Sequence, residues 1–338
     1  MQKRRILIIV LAVGILILYR QLNPVETQVL QHVTGTTMGT IPYSIKYLAT
    51  EENFFKTEVD SILVAFNQSL STYIPDSEIS RFNRYDTISY ESTFLYPVLK
   101  ISQEMFIKSK GAYDPTIGPL VNAWGFGPKK KTILDSATVD SLLQIVGFDQ
   151  VIFDEKRAQK PTNTYLDFSA SAKGYALDVI AHYLNEKGVD NYMIEIGGEV
   201  RCQGQNQNQT IWRIGIEKPE MNQSVGNVFA TVFVNNRSLA TSGNYRNYYE
   251  ENGRIISHTI SPFTGYNVSH HLLSASIFAP NCTLADGYAT ACMVMGLEES
   301  IEMIKKLNGV DAFFIYSDEN GELQSYATSG IESQIEVL

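Results

Sequence analysis

The chain has 338 residues, 44% of them hydrophobic, with 27 Lys and Arg against 36 Asp and Glu for a formal net charge of −9. That length and composition fit one globular α/β or α+β enzyme unit and exclude extensive disorder. The acidic balance disfavours a nucleic-acid partner.

At the N-terminus, Lys3, Arg4 and Arg5 precede an apolar run from Ile6 to Tyr19. A basic flank followed by a hydrophobic stretch marks exported chains, with the basic side kept in the cytoplasm. The run is shorter than the roughly 20 residues that span a bilayer comfortably. No small-x-small cleavage site follows it, because Leu18, Tyr19, Arg20 and Gln21 are bulky, and no Cys stands there for acylation. Residues 1–22 therefore read as an uncleaved signal-anchor, with a cleaved signal peptide as the alternative. Residues 23–32 read as a tether and residues 33–338 as one domain outside the cytoplasm.

From Val33 to Tyr47 the pattern predicts a strand pair broken at Gly35, Met38-Gly39 and Pro42. Apolar residues at Phe54, Val59, Ile62, Leu63, Phe66 and Leu70 recur with helical period over 51–70. "STYIPDSEISRFNR" reads as a loop, followed by a helix from Phe94 to Lys110. "GAYDPTIGPLVNAWGFG" is dense in Gly, Pro and aromatics, as in a shaped loop. A short helix over 136–146 and strands at 151–153 and 165–168 come next.

In "DFSASAKGYALDVIAHYLNEKG" a helix begins near Ser169 or Ser171 and stops at Gly188. "YMIEIGGEVRCQG", "WRIGIEKP", "VFATVFVNN" and "RSLATSG" alternate as antiparallel strands, and "LLSASIFAP" reads as another strand. Helices over 284–295 and 297–308 and a hairpin around "DENGE" close the chain. Strands and helices fall in blocks, which predicts an α+β fold with largely antiparallel sheets flanked by helices. The cysteines, Cys202, Cys282 and Cys292, are odd in number and lack CxxC spacing, so neither a disulfide framework nor a zinc site is expected.

Several stretches carry candidate chemistry. In "ADGYATACMVMG" Asp286 and Thr290 stand four apart, so an otherwise apolar helix presents two oxygens on one face. Such oxygens suit a hard cation such as Mg²⁺. The plainer reading is a helix cap at Asp286 and a hydroxyl bonded back to its own helix at Thr290. Lys173 lies in the first turn of the helix after "DFSAS", where a phosphate is well placed, or else it is solvated. "EIGGEV" allows close backbone approach to a ligand, with Glu199 facing a base, a ribose or water. His258 precedes a Pro/Gly turn and is a candidate general base or a surface His. Tyr73, Tyr113 and Trp124 sit in Gly/Pro loops and could stack on a planar ring.

In this order "MGT", "LSTYIPDSEISRFN", "GAYDPTIGPLVNAWGFG", "DFSASAKGYALD", "IEIGGEV", "LATSGNYRNYY", "HTISPFTGY" and "ADGYATACMVMG" resemble the ApbE family, the FAD:protein FMN transferases (flavin transferases), from about Gly35 to the C-terminal helix. The resemblance implies a single T-fold-related catalytic domain. It implies an enzyme that binds FAD and Mg²⁺ on the extracytoplasmic side of the inner membrane and moves FMN to a Thr or Ser hydroxyl of a target flavoprotein, releasing AMP. The target motif would resemble Asp-x-x-Ser/Thr-Gly-Ala-Thr. Some members of the family instead hydrolyse FAD to FMN and AMP.

Carried over by position, the metal would be held by Asp286, Thr290 and the carbonyl of Ala170. FAD would contact Met38, Tyr73, Ala112, Tyr113, Asp114, Asp167, Lys173, His258 and Ile260. Glu199 joins this set from the reading of its own segment. His258 would help deprotonate the acceptor hydroxyl, which makes it, with Asp286, the catalytic pair. One departure stands out: the family's turn reads His-x-x-Asp-Pro, and here it is His258-Thr259-Ile260-Ser261-Pro262. If the missing carboxylate orients the base, activity would be reduced or redirected, down to a flavin-binding protein without catalysis.

Overall fold

A computed structural model describes residues 28–127, 134–220, 227–244, 248–251 and 254–338. The expected N-terminal anchor and the first half of the expected tether lie outside the described residues. Among the described residues no helix is long and apolar enough to cross a membrane.

Strands β1 (Val29–Thr37) and β2 (Ile41–Ala49) form an antiparallel hairpin. The expected tether is therefore too long, since its last residues belong to β1. Only Val33 and Thr37 of β1 are fully buried, so this edge strand lacks the apolar alternation that would have revealed its start. Helices α1 (Lys56–Leu70), α2 (Glu78–Arg84), α3 (Leu95–Lys108), α4 (Gly118–Ala123) and α5 (Ser136–Leu143) follow, interrupted by strand β3 (Thr87–Ser89). Strands β4 (Ile152–Phe153) and β5 (Arg157–Gln159) join β3 in a small sheet. Next come α6 (Ala172–Glu186), β6 (Tyr192–Ile196), β7 (Glu199–Gln203), β8 (Trp212–Glu217), β9 (Val228–Val234) and β10 (Arg237–Gly243). Strands β11 (Tyr248–Glu251) and β12 (Arg254–Ser257) form a hairpin before β13 (Leu272–Ala279). Helices α7 (Cys282–Met295) and α8 (Leu297–Ile304) and strands β14 (Asp311–Ser317), β15 (Leu323–Ala327) and β16 (Ile335–Val337) complete the chain.

The main sheet has the order β1-β2-β6-β7-β10-β13-β14-β15, every neighbour antiparallel. A second sheet, β16-β9-β8, is also antiparallel. The alternation of side chains explains the layering. On β13 and β14, Leu272, Ala275, Ile277, Ala312 and Phe314 join the cluster around α7. Their neighbours Phe278, Phe313 and Ile315 join the cluster with Trp212, Ala230 and Val232 of the second sheet. Both faces of the central strands are thus covered, which explains why β13 reads as a nearly continuous apolar run. A third cluster joins β2 and β6 to α1, α2, α3 and α6. Each large side chain buried in these layers contributes about 1.5–3 kcal/mol.

The sequence expectations need correction in several places. "STYIPDSEISRFNR" is not all loop, because α2 begins within it, capped by Ser77 Oγ, which accepts from Ser80 N–H at 3.1 Å. The glycine-rich loop contains α4. Residues 165–168 are extended but pair with no strand: Leu166 exchanges 2.8 Å hydrogen bonds with the Asn83 side chain, and Asp167 N–H donates to Pro115 O at 2.7 Å. Side chain and loop substitute here for a neighbouring strand. Ser171 holds the N-cap position of α6 without a capping bond, its hydroxyl lying 2.7 Å from Tyr113 Oη instead.

Candidate functional site

The site is built where α6 meets α7. Asp178 of α6 accepts from the N–H groups of Cys282 and Thr283 at 2.8 Å each, and from Thr283 Oγ1 at 2.6 Å. A carboxylate on one helix thus caps the N-terminus of the other, where the unpaired N–H groups favour negative charge. Arg201 of β7 pairs with the same carboxylate. The helices approach closely at Gly174: a Cβ there would fall well inside contact with the Cys282 carbonyl and 2.9 Å from Asp286 Cβ.

This contact removes the helix-cap reading of Asp286. Asn281, not Asp286, caps α7, its Oδ1 accepting from Leu284 N–H at 2.9 Å. Asp286 Oδ2 instead accepts from Gly174 N–H across the helix pair at 3.0 Å. One turn later, Thr290 Oγ1 lies 3.5 Å from the Ala170 carbonyl and 3.5 Å from Ser242 Oγ of β10. A carboxylate, two hydroxyls and a carbonyl from three chain segments therefore converge. They are all hard oxygen donors, the set a Mg²⁺-like ion takes while it keeps positions for water and phosphate. Among the described residues no group of three or more His, Cys, Asp or Glu could hold a metal.

Asp286 is 4% exposed. Burial, and then the nearby Glu199 carboxylate, push it up to about 7, against the opposing pull of Lys173 and Gly174 N–H. Glu199 follows a turn in which Gly197 and Gly198 have φ of 62° and 101°, a left-handed conformation that favours glycine. Its Oε1 pairs with Lys173 Nζ at 2.7 Å.

These groups lie at a cavity of about 1260 Å³, above the roughly 300–1,000 Å³ of drug-sized sites. Asp286, Thr290, Ala170 and Lys173 line it. So do Met38, Tyr73, Ala112, Tyr113, Asp114, Asp167, His258 and Ile260. The structure thus brings all of these candidates to one cavity. Glu199 is the exception: it is 2% exposed, does not line the cavity and faces Lys173 rather than a base or ribose.

Lining the cavity takes different forms. Tyr73 is 67% exposed, so its ring is open for stacking. Tyr113 is not: its ring is buried and its Oη lies 3.1 Å from Ser102 Oγ and 2.7 Å from Ser171 Oγ, tying its loop to α3 and α6. Asp114 braces the same loop by accepting from Thr116 N–H at 2.8 Å and Thr116 Oγ1 at 2.6 Å. Burial raises the carboxyls of Asp114 and Asp167 above the usual range. Met38 has φ 48°, an uncommon state for a residue with a side chain, and it sits in the β1–β2 turn on the cavity wall. Trp124 lies off the lining, donating from Nε1 to Gly265 O at 2.8 Å and packing edge-on to Tyr266. Phe126, which sequence reasoning passed over, lines the cavity and meets the His258 ring at 6.3 Å. Asn67 and Ser242 were also missed; they lie on α1 and β10, and nothing local to either segment marks them.

Ser261 occupies the place of the family's Asp. Its hydroxyl accepts from Phe263 N–H at 3.3 Å, while its N–H donates to Tyr266 O and its carbonyl accepts from Gly265 N–H, both at 2.8 Å. The side chain shapes a turn, as a short Asp does, and does not line the cavity.

Fold and cavity define a class: an α+β protein whose cleft ends on a buried carboxylate and a ring of neutral oxygens. Within that class the chain belongs to the ApbE family, whose model matches residues 38–314, and it is a transferase. It is 36% identical over 310 residues to the FAD:protein FMN transferase of Vibrio cholerae, covering 89% of this chain and 91% of that one. It is 37% identical over 313 residues to the FAD:protein FMN transferase of Haemophilus influenzae, covering 88% and 89%. Among solved structures, the flavin transferase ApbE of Vibrio cholerae superimposes with a TM-score of 0.80 at 34% identity, covering 91% of this chain and 99% of that one. The apo form of the flavinyl transferase ApbE of Pseudomonas stutzeri gives a TM-score of 0.81 at 31% identity, covering 92% and 98%.

Proposed function

We propose that this chain is a Mg²⁺-dependent FAD:protein FMN transferase that moves FMN from FAD to a Thr or Ser hydroxyl of a target flavoprotein and releases AMP. The observation that carries the reading is the convergence of Asp286, Thr290 and the Ala170 carbonyl on a cavity that Lys173 also lines. Family membership supports it. Residues 1–22 support an anchored, extracytoplasmic location, and the target would carry an Asp-x-x-Ser/Thr-Gly-Ala-Thr-like motif.

Asp286, Thr290 and the Ala170 carbonyl would hold the Mg²⁺. Bound there, the ion supplies neutralisation of diphosphate charge, the main requirement of phosphoryl transfer. Lys173, whose side chain lines the cavity, would face the same diphosphate. Tyr73 offers a ring for stacking. His258 accepts the proton of the acceptor hydroxyl as its oxygen attacks the FMN phosphorus. The bond from that phosphorus to the bridging oxygen breaks, and the oxygen leaves with its electron pair on AMP. The Ser261 turn leaves this assignment of His258 intact, because the hydroxyl serves the backbone as a turn-forming carboxylate would.

The test incubates the purified protein with FAD, Mg²⁺ and a flavoprotein bearing the motif. Covalent flavin fluorescence on the target after denaturing electrophoresis is the expected result. Free FMN and AMP without labelled target would favour the hydrolase reading, and FAD binding with neither product would favour a non-catalytic flavin-binding protein.

A further inference from the structure

We propose that Glu199 is a positioning residue, one that holds the Lys173 ammonium at the cavity wall for the diphosphate of the dinucleotide without touching the dinucleotide itself. This deepens the functional reading above and rests on it. The Glu199 side chain is 2% exposed and off the lining, whereas the Lys173 side chain is 27% exposed and on it. The two meet at 2.7 Å. The stem of Lys173 runs over the left-handed turn that also delivers Glu199: a Cβ on Gly197 would stand 3.4 Å from Lys173 Cδ. A lysine has four rotatable bonds and a point-like charge, so its location is set by what anchors it. Glu199 provides that anchor from the main sheet, while the backbone of Lys173 belongs to α6. The pair therefore fixes the ammonium from two elements at once.

Truncating Lys173 alone would leave a buried carboxylate without this partner and threatens folding, so the test changes Glu199. Glu199→Leu removes the acceptor at similar volume; Glu199→Gln keeps an acceptor oxygen. Affinities for FAD and for riboflavin, which lacks phosphate, are read by fluorescence titration with Mg²⁺ present. Glu199→Leu should weaken FAD binding about tenfold, the factor equivalent to about 1.4 kcal/mol of restored lysine freedom, and leave riboflavin binding unchanged. Glu199→Gln should restore most of the loss. Equal losses for both ligands, or no loss for FAD, overturn the proposal. Tighter FAD binding in either variant also overturns it, because removal of charge repulsion would then outweigh anchoring. A second readout is independent of flavin: acylation of Lys173 by a small anhydride, followed by mass spectrometry, should quicken several-fold in Glu199→Leu, and an unchanged rate overturns the anchoring role. Should the unaltered protein bind no FAD, the functional reading falls, while the labelling still decides whether Glu199 holds Lys173.

Discussion

Replacing Gly174 by Ala tests the construction of the site most directly. In the interior of a helix, Ala is normally favoured over Gly by about 1 kcal/mol. Here the added methyl would collide with the Cys282 carbonyl and approach Asp286 Cβ to 2.9 Å. Neither neighbour can yield cheaply, since one is backbone at the start of α7 and the other is held on a buried helix. Forcing extra volume into such a contact costs about 1–3 kcal/mol. Separating the helices also stretches the Gly174 N–H bond to the Asp286 carboxylate, 3.0 Å long, and losing a hydrogen bond to a charged group costs about 1.5–3 kcal/mol. After the propensity gain is subtracted, Gly174→Ala should destabilise the protein by about 1.5–5 kcal/mol. Urea unfolding followed by circular dichroism measures this as a lowered midpoint at constant slope. The same variant should need more Mg²⁺ for half-maximal turnover, because Asp286 moves with α7. A variant as stable as the parent, or more stable by the propensity difference, would refute the claim that close helix approach builds the site.

Other outcomes follow from the same geometry. Asp286→Asn should fold and lose Mg²⁺-dependent turnover, measured as AMP release; undiminished turnover would remove Asp286 from the metal site. Asp286 titrates near about 7 in the folded protein against about 4 in the unfolded chain. Between those values the folded state keeps a proton that the unfolded state has lost, so with chelator present the parent should lose stability as pH rises from about 4 to about 7, relative to Asp286→Asn, and level off above that. Parallel melting curves for the two proteins across this window would contradict the raised value. Asp178→Ala removes the carboxylate bonded to the first N–H groups of α7 and the partner of Arg201, and a loss of about 3–5 kcal/mol in chemical denaturation is expected. Tyr73→Ala should leave the melting temperature unchanged, because the ring is 67% exposed, and weaken FAD binding by about 1 kcal/mol in a titration. Ser261→Asp should change neither stability nor transfer rate appreciably; a large gain in rate would show that a carboxylate at this turn does more than shape it.

Much of the fold was written locally. Periodicity located α1, α3 and α6 and alternation located β6 to β10, because each of these elements buries a regular stripe or face, while α7 and β13 were legible as mostly apolar runs because they are buried on nearly all sides. The elements that escaped are those whose buried surface is small or supplied by side chains far away. The first residues of β1, expected only from Val33, lie on an edge strand with few buried side chains, α2 is under two turns long, and the extended stretch at Leu166 is held by Asn83. The candidate residues were legible mostly as a family pattern, and twelve of the fourteen named positions, all except Trp124 and Glu199, line one cavity.

What the sequence determined by itself was the kind of element and the kind of atom: an apolar helix with oxygens four residues apart, a lysine in a first helical turn, and a glycine pair before a glutamate. Propensity, periodicity and side-chain chemistry act over a few neighbouring residues, so they can be read from one line of text. Only the tertiary structure decided what those atoms do. Asp286 could cap its own helix or face a partner, and the close approach at Gly174 chose the partner. Glu199 could face a ligand or water, and the left-handed turn on the sheet brought it to neither but to Lys173. Such choices depend on contacts between segments more than a hundred residues apart for Gly174 and Asp286, set by packing across the whole core and invisible to any local pattern.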